Sequence, residues 1–217
     1  MEQSPAVPLV KPRLRGVSHQ FAFFAALLAG AALIALAPER ARLAAAIYAG
    51  SLATLLGTSA LYHRPTWKPG PRRWMRRADH AAIFVLIAGT YTPFTLLLPP
   101  RDALVMRVLA WGGAALGILQ SLFWVQAPRP LVAALYIGFG SAILVFWPAL
   151  HGALGAAGLS VLLLGGLFYS TGAVIYAVRR PNPAPAVFGY HEIFHALVVA
   201  AAICHFTVVA GVMRALR

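Results

Sequence analysis

Two of the seven histidines in this 217-residue chain, His191 and His195, are spaced i, i+4. On a helix that spacing stacks both imidazoles on one face, an ordinary arrangement for two ligands to one metal ion. The same spacing also describes a pair of histidines at a membrane interface, and the motif alone leaves both readings open. His63, Asp79 and Ser59, the last one helical turn before His63, are the groups that could join the pair. Three histidines with a fourth position left for water form a familiar open zinc site. Imidazole also suits nickel, copper and iron. Asp79 has three open roles: a fourth ligand, a base that holds the water, or an ion-pair partner for Arg76 or Arg77. Ser59 either serves the site or bonds a carbonyl of its own helix, as serines in membrane helices commonly do.

The elements that would bring these groups together are membrane helices. The chain is 60% hydrophobic and 11% charged, against about 25% charged in a soluble domain. It cannot clothe a globular surface in polar groups, and lipid is the solvent that fits. Seven apolar runs lie near 19–37, 43–63, 79–98, 104–125, 131–148, 157–178 and 190–212, separated by prolines or, at 152–158, by a glycine-rich stretch. Backbone groups in lipid must be satisfied within their own segment, so these runs are predicted to be helices. The expected fold is an all-α integral membrane bundle of seven transmembrane helices. Residues 1–18 form a short cytoplasmic tail and 19–217 the transmembrane domain. Basic residues before the first run, and Ala35-Leu36-Ala37 at its end, have some likeness to a cleaved signal. Its ~17 apolar residues exceed the usual ~7–15 of such a signal, so it is expected to be retained; cleavage would leave six spans.

Orientation follows from lysine and arginine. Alternating the spans puts twelve of the eighteen bases on the N-terminal side and six on the other. The N-terminus is therefore expected in the cytoplasm and the C-terminus outside. The connection between spans two and three, with six bases, is the strongest single determinant. The same alternation puts His63, Asp79, His191 and His195 at one cytoplasmic depth, although none of them entered the count. Ionisable groups in a bilayer usually face the bundle interior and mark function. His80, about 100° round the helix from Asp79, is expected at the interface or behind the ligands. His205 is expected to bond another helix rather than line a cavity, and His19 and His151 to be interfacial. Glu192 is expected to be solvated or paired with a loop arginine. Gly113 and Gly117 suggest close helix packing. Trp67, Trp74, Trp111, Trp124, Trp147 and Tyr190 suit an interfacial belt. Cys204 is the single cysteine, so no intrachain disulfide exists, and a buried inert thiol is expected. The net charge of +13, with bases clustered at span ends, suits anionic lipid head groups. It does not suit nucleic acid, which asks for a soluble basic face.

Ser59-Ala60-Leu61-Tyr62-His63, Asp79-His80-Ala81-Ala82-Ile83-Phe84, Gly89-Thr90-Tyr91-Thr92-Pro93 and His191-Glu192-Ile193-Phe194-His195 together resemble the bacterial hemolysin III family. That family is related to the progestin and adipoQ receptors, the adiponectin receptors among them. The resemblance runs from span one to span seven. It implies a seven-helix bundle in a bacterial-type plasma (inner) membrane, with a zinc ion near the cytoplasmic leaflet held by His63, His191 and His195. It matches Asp79 to the family's aspartate, which contacts the zinc or its water. Ser59 matches the serine of a wider superfamily of metal-dependent membrane hydrolases that includes alkaline ceramidases. Span two lacks the interior acid often found there, reading Ile47-Tyr48-Ala49-Gly50-Ser51-Leu52. Two functional classes follow. One is a zinc-dependent amidase or esterase acting on a membrane lipid, with Asp79 and Ser59 as its catalytic groups. The other is a receptor-like sensor, pore-forming cytolysin or membrane regulator in which zinc is structural.

Overall fold

The computed structural model describes residues 11–217; residues 1–10, and with them the first part of the expected tail, lie outside the described part. Among the described residues seven α-helices follow one another: α1 Val17–Leu36, α2 Glu39–His63, α3 Pro69–Phe94, α4 Pro100–Phe123, α5 Arg129–Ser141, α6 Trp147–Val178 and α7 Tyr190–Ala215. The starts obey local chemistry. α3, α4 and α5 each carry proline in the first turn, where its missing N–H costs nothing and its fixed φ suits the helix. α1 packs on α2, α2 on α3, α3 on α4, α5 on α6 and α6 on α7, and α7 returns to α1. α3 also meets α5 and α7, which places it inside the ring.

The bundle is inverted relative to a soluble one at its surface: large apolar side chains face outward, while polar groups turn inward into a mainly apolar core. Side chains such as Leu28 and Phe123 are 77% and 83% exposed, whereas His19, Ser59, His63, Thr90, Glu192 and His195 are buried. That inversion is what lipid selects, because an unsatisfied polar group facing hydrocarbon costs several kcal/mol. Gly113 and Gly117 serve close packing as expected: a Cβ on Gly113 would meet the Phe139 ring at 2.4 Å, and one on Gly117 the Phe84 ring at 2.2 Å.

Two sequence expectations are corrected. Among the described residues six helical stretches, not seven, are long and apolar enough to cross a membrane, because expected spans five and six fall in one 50-residue stretch, Arg129–Val178. Helical turns run from α5 through a 3-10 segment, Ala142–Phe146, into α6. The glycine-rich stretch read as a loop is helical except at Gly155, where φ 65° and ψ 175° kink α6, a conformation open to glycine because it has no Cβ. Secondly, α3 begins ten residues before Asp79. Arg72, Arg73, Arg76 and Arg77, read as part of a loop, lie on its first turns. The proline pair that signalled a break instead starts the helix.

Candidate metal centre

Three helix ends and the segment before α1 build the site. His63 is the last residue of α2. The start of α7 is pinned by a capping box: the Gly189 N–H donates to Glu192 Oε2 at 2.8 Å, which satisfies an orphan donor of the first turn. His191 and His195 therefore point from the first two turns of α7. The other Glu192 oxygen pairs with Arg15, and Glu192 itself is buried. The segment that carries Arg15 straps the same end of the bundle. Arg13 and Leu14 N–H groups donate to the carbonyls of Ala186 and Val187, and Lys11 Nζ donates to that of Arg64 at 2.7 Å. The Lys11 ammonium is held below its usual value by burial first, then by Arg64, Arg15 and Arg72. Gly16 turns the strap into α1 with φ 77°, and a Cβ there would meet His63 Cβ at 2.6 Å.

The ligand-capable atoms of His63, His191 and His195 lie within 4.8 Å of one another. His63 Nε2 and His191 Nε2 are 3.2 Å apart. Two nitrogens bound tetrahedrally at zinc distances of 2.0–2.1 Å stand about 3.3–3.4 Å apart, so the spacing of this pair fits two ligands of one ion. His195 and His63 are buried, and His191 is half-buried. The donor set is three imidazoles with no thiolate, which fits zinc and other borderline metals. Asp79 Oδ2 is 3.8 Å from His63 Nε2, and Asp79 is not within the tight group of three. The Ser59 hydroxyl lies beside the Asp79 carboxyl. Among the described residues Asp79 forms no ion pair with Arg76 or Arg77; Arg77 instead lies over the Trp74 ring, 4.6 Å from its centroid.

Two side chains, His19 and Cys204, depart from the sequence reading, and two, Glu192 and His205, meet it in part. His19, expected at the interface, is buried and stacks face to face on His195, with ring centroids 3.9 Å apart and planes 6° apart. The alternation of spans puts His19 at the same end of the bundle as the other histidines, but does not foretell the ring stacking. Glu192 pairs with an arginine as expected but is buried, because its partner comes from the strap rather than from water-exposed loop. His205 Nε2 donates to the Leu162 carbonyl on α6, 3.2 Å away, as expected, and also lines the cavity described next. Cys204 is half-buried rather than buried. His151 is exposed on α6 beside Trp147, away from the site.

A cavity of about 1410 Å³ opens onto the three histidines. Asp79, Ser59, His80 and Tyr176 line it near the histidines, and Leu162, Leu163 and Leu167 line an apolar arm. The haemolysin-III related sequence profile matches residues 8–206, nearly the whole chain. The chain belongs to the haemolysin-III related family. The Hemolysin-3 homolog of Bacillus subtilis (strain 168) is 34% identical to it over 155 residues, 70% of this chain and 69% of that protein. Hemolysin-3 of Bacillus cereus is 37% identical over 132 residues, 60% of this chain and 59% of its own. The Adiponectin receptor protein of Drosophila melanogaster is 33% identical over 155 residues, which cover 62% of this chain and 34% of the receptor. The chain thus spans less than two thirds of the last two. In this haemolysin-III related bundle the histidine cluster is the place where α2 and α7 meet.

Proposed function

We propose that His63, His191 and His195 hold one zinc ion, and that the protein hydrolyses an amide or ester bond of a membrane lipid. The bundle crosses a bacterial plasma (inner) membrane seven times, with the N-terminus in the cytoplasm and the C-terminus outside. A 50-residue helix would be about 75 Å long, over twice the ~30 Å hydrocarbon core. The kink at Gly155 and the packing of α5 on α6 support two crossings within that stretch.

The observation that carries the enzymatic reading is a cluster of three imidazoles with a carboxylate at its edge, set in the wall of a cavity large enough for acyl chains. Held by His63, His191 and His195, a zinc ion would lower the pKa of a water to about 7 and would polarise a carbonyl. Asp79 accepts a hydrogen bond from the attacking water and delivers its proton to the leaving nitrogen or oxygen. Ser59 donates to the carbonyl oxygen as it gains charge. The apolar arm holds the chain of the substrate and excludes bulk water. The test is turnover of ceramides and phospholipids by zinc-loaded protein in lipid. Asp79→Asn is expected to keep its zinc and lose nearly all turnover, and His191→Ala to lose both. Ser59→Ala is expected to slow turnover on the order of 10²-fold, the scale of one oxyanion donor. Absence of cleavage, or an Asp79→Asn variant as fast as the parent, contradicts the enzyme. A second reading, a lysin, sensor or regulator with structural zinc, draws on the name Hemolysin-3 of the Bacillus cereus relative. It expects zinc-dependent stability with no turnover in any variant.

A further inference from the structure

The cavity is lined by six cations, Lys11, Arg15, Arg72, Arg73, Arg76 and Arg129, against two carboxylates, Asp79 and Glu192. Two of the six are committed elsewhere: Arg15 to Glu192, and Lys11 to the Arg64 and Pro65 carbonyls. Arg76 and Arg129 are different. Both are half-buried and both line the cavity, from α3 and α5 respectively. Neither forms an ion pair among the described residues. Arg129 is held from two sides: it donates to the Tyr190 hydroxyl at 3.4 Å, and its guanidinium sits 5.4 Å from the Tyr176 ring centroid. Two guanidinium groups lining one partly desolvated cavity favour an anion between them, and a phosphate oxyanion is the partner whose geometry the guanidinium fork fits. Excess basic residues at a cytoplasmic membrane face follow from orientation alone. That rule does not ask for two of them, from different helices, to line one internal cavity.

We infer that Arg76 and Arg129 form a binding site for the phosphate headgroup of an anionic lipid whose acyl chain lies along the apolar arm of the same cavity. The lipid source is favoured over free phosphate because the cations share one continuous space with Leu162, Leu163 and Leu167. A free ion would leave that apolar wall uncovered. The inference rests on the cavity being a lipid site, as proposed above, but concerns binding and not cleavage.

The experiment uses the full chain in phosphatidylcholine nanodiscs. The discs are doped either with phosphatidic acid or with diacylglycerol of the same chains, which differs only in lacking the phosphate. Lipid retained after release is read by native mass spectrometry. The parent is expected to retain phosphatidic acid about tenfold or more over diacylglycerol. Arg76→Gln/Arg129→Gln is expected to retain the two equally. Arg107→Gln, an exposed cation at the far end of the bundle, is expected to behave as the parent. The Arg76→Gln/Arg129→Gln variant is expected to hold as much zinc as the parent, which separates this site from the zinc chemistry. Equal retention by the parent overturns the inference without any variant, so a poorly folded double variant does not shelter it. A double variant that keeps the preference overturns it too. Displacement of the lipid by an equal concentration of inorganic phosphate would show a free-anion site and overturn the lipid assignment.

Discussion

A histidine ligates well when its surroundings fix the ring before the ion arrives. His63 owes its place to Gly16, which both turns the strap with a positive φ and leaves room for His63 Cβ. Gly16→Ala brings the strain of a non-glycine residue in that region, about 1–3 kcal/mol, and a contact with the ligand itself. It is expected to lower Tm and to weaken zinc binding on the order of tenfold, measured against a graded chelator; unchanged binding would detach the strap from the site. His195 owes its orientation in part to the His19 ring lying flat on it. His19→Phe retains a flat ring there and is expected to keep zinc close to the parent's affinity. His19→Ala leaves a void and is expected to cost stability of about 2–4 kcal/mol, the scale of a large-to-small change in a packed core. Equal behaviour of the two variants in thermal unfolding would remove the stacking argument. The histidines of α7 were legible from i, i+4 spacing, but His19 was not singled out. A single histidine four residues after a tail arginine carries no periodicity, and only the fold lays its ring on another.

Elements reach the site through the Arg15–Glu192 pair, which ties the strap to the first turn of α7. Glu192 is 3% exposed and Arg15 22%, so their loss is unequal. Arg15→Gln leaves a carboxylate buried without its cation, and breaking a buried pair this way costs about 3–5 kcal/mol. Glu192→Gln leaves an arginine that water can still reach, and its amide oxygen can still cap α7. Thermal unfolding is expected to show the larger loss in Arg15→Gln; the reverse order would contradict the burial. Element type and most boundaries were legible because apolar run length and proline mark them without tertiary help. The start of α3 was not, since prolines at a first helical turn and prolines in a loop look the same in sequence. The joining of α5 to α6 was missed for a related reason: the glycines of 152–158 permit a turn, yet only Gly155 leaves helical geometry.

At the scale of the molecule, the inverted distribution of polar and apolar side chains was legible from composition. The cavity was not, because it is made by the mutual placement of α3, α5, α6 and α7 rather than by any one run. Topology has its own test. A reporter fused after Arg217 is expected to be active outside the cytoplasm, and one inserted between Arg64 and Lys68 inside it. Activity of both on one side would leave an even number of crossings between them and remove the seven-crossing reading. The central claim is that one metal joins the end of α2 to the start of α7. Metal content with zinc K-edge absorption spectroscopy on the purified full chain tests it most directly. The expected result is one zinc per chain with about three imidazole nitrogens at 2.0–2.1 Å. That zinc is expected to be lost in His63→Ala/His191→Ala/His195→Ala and kept in His151→Ala. Zinc retained by the triple variant, or none in the parent, would contradict the account.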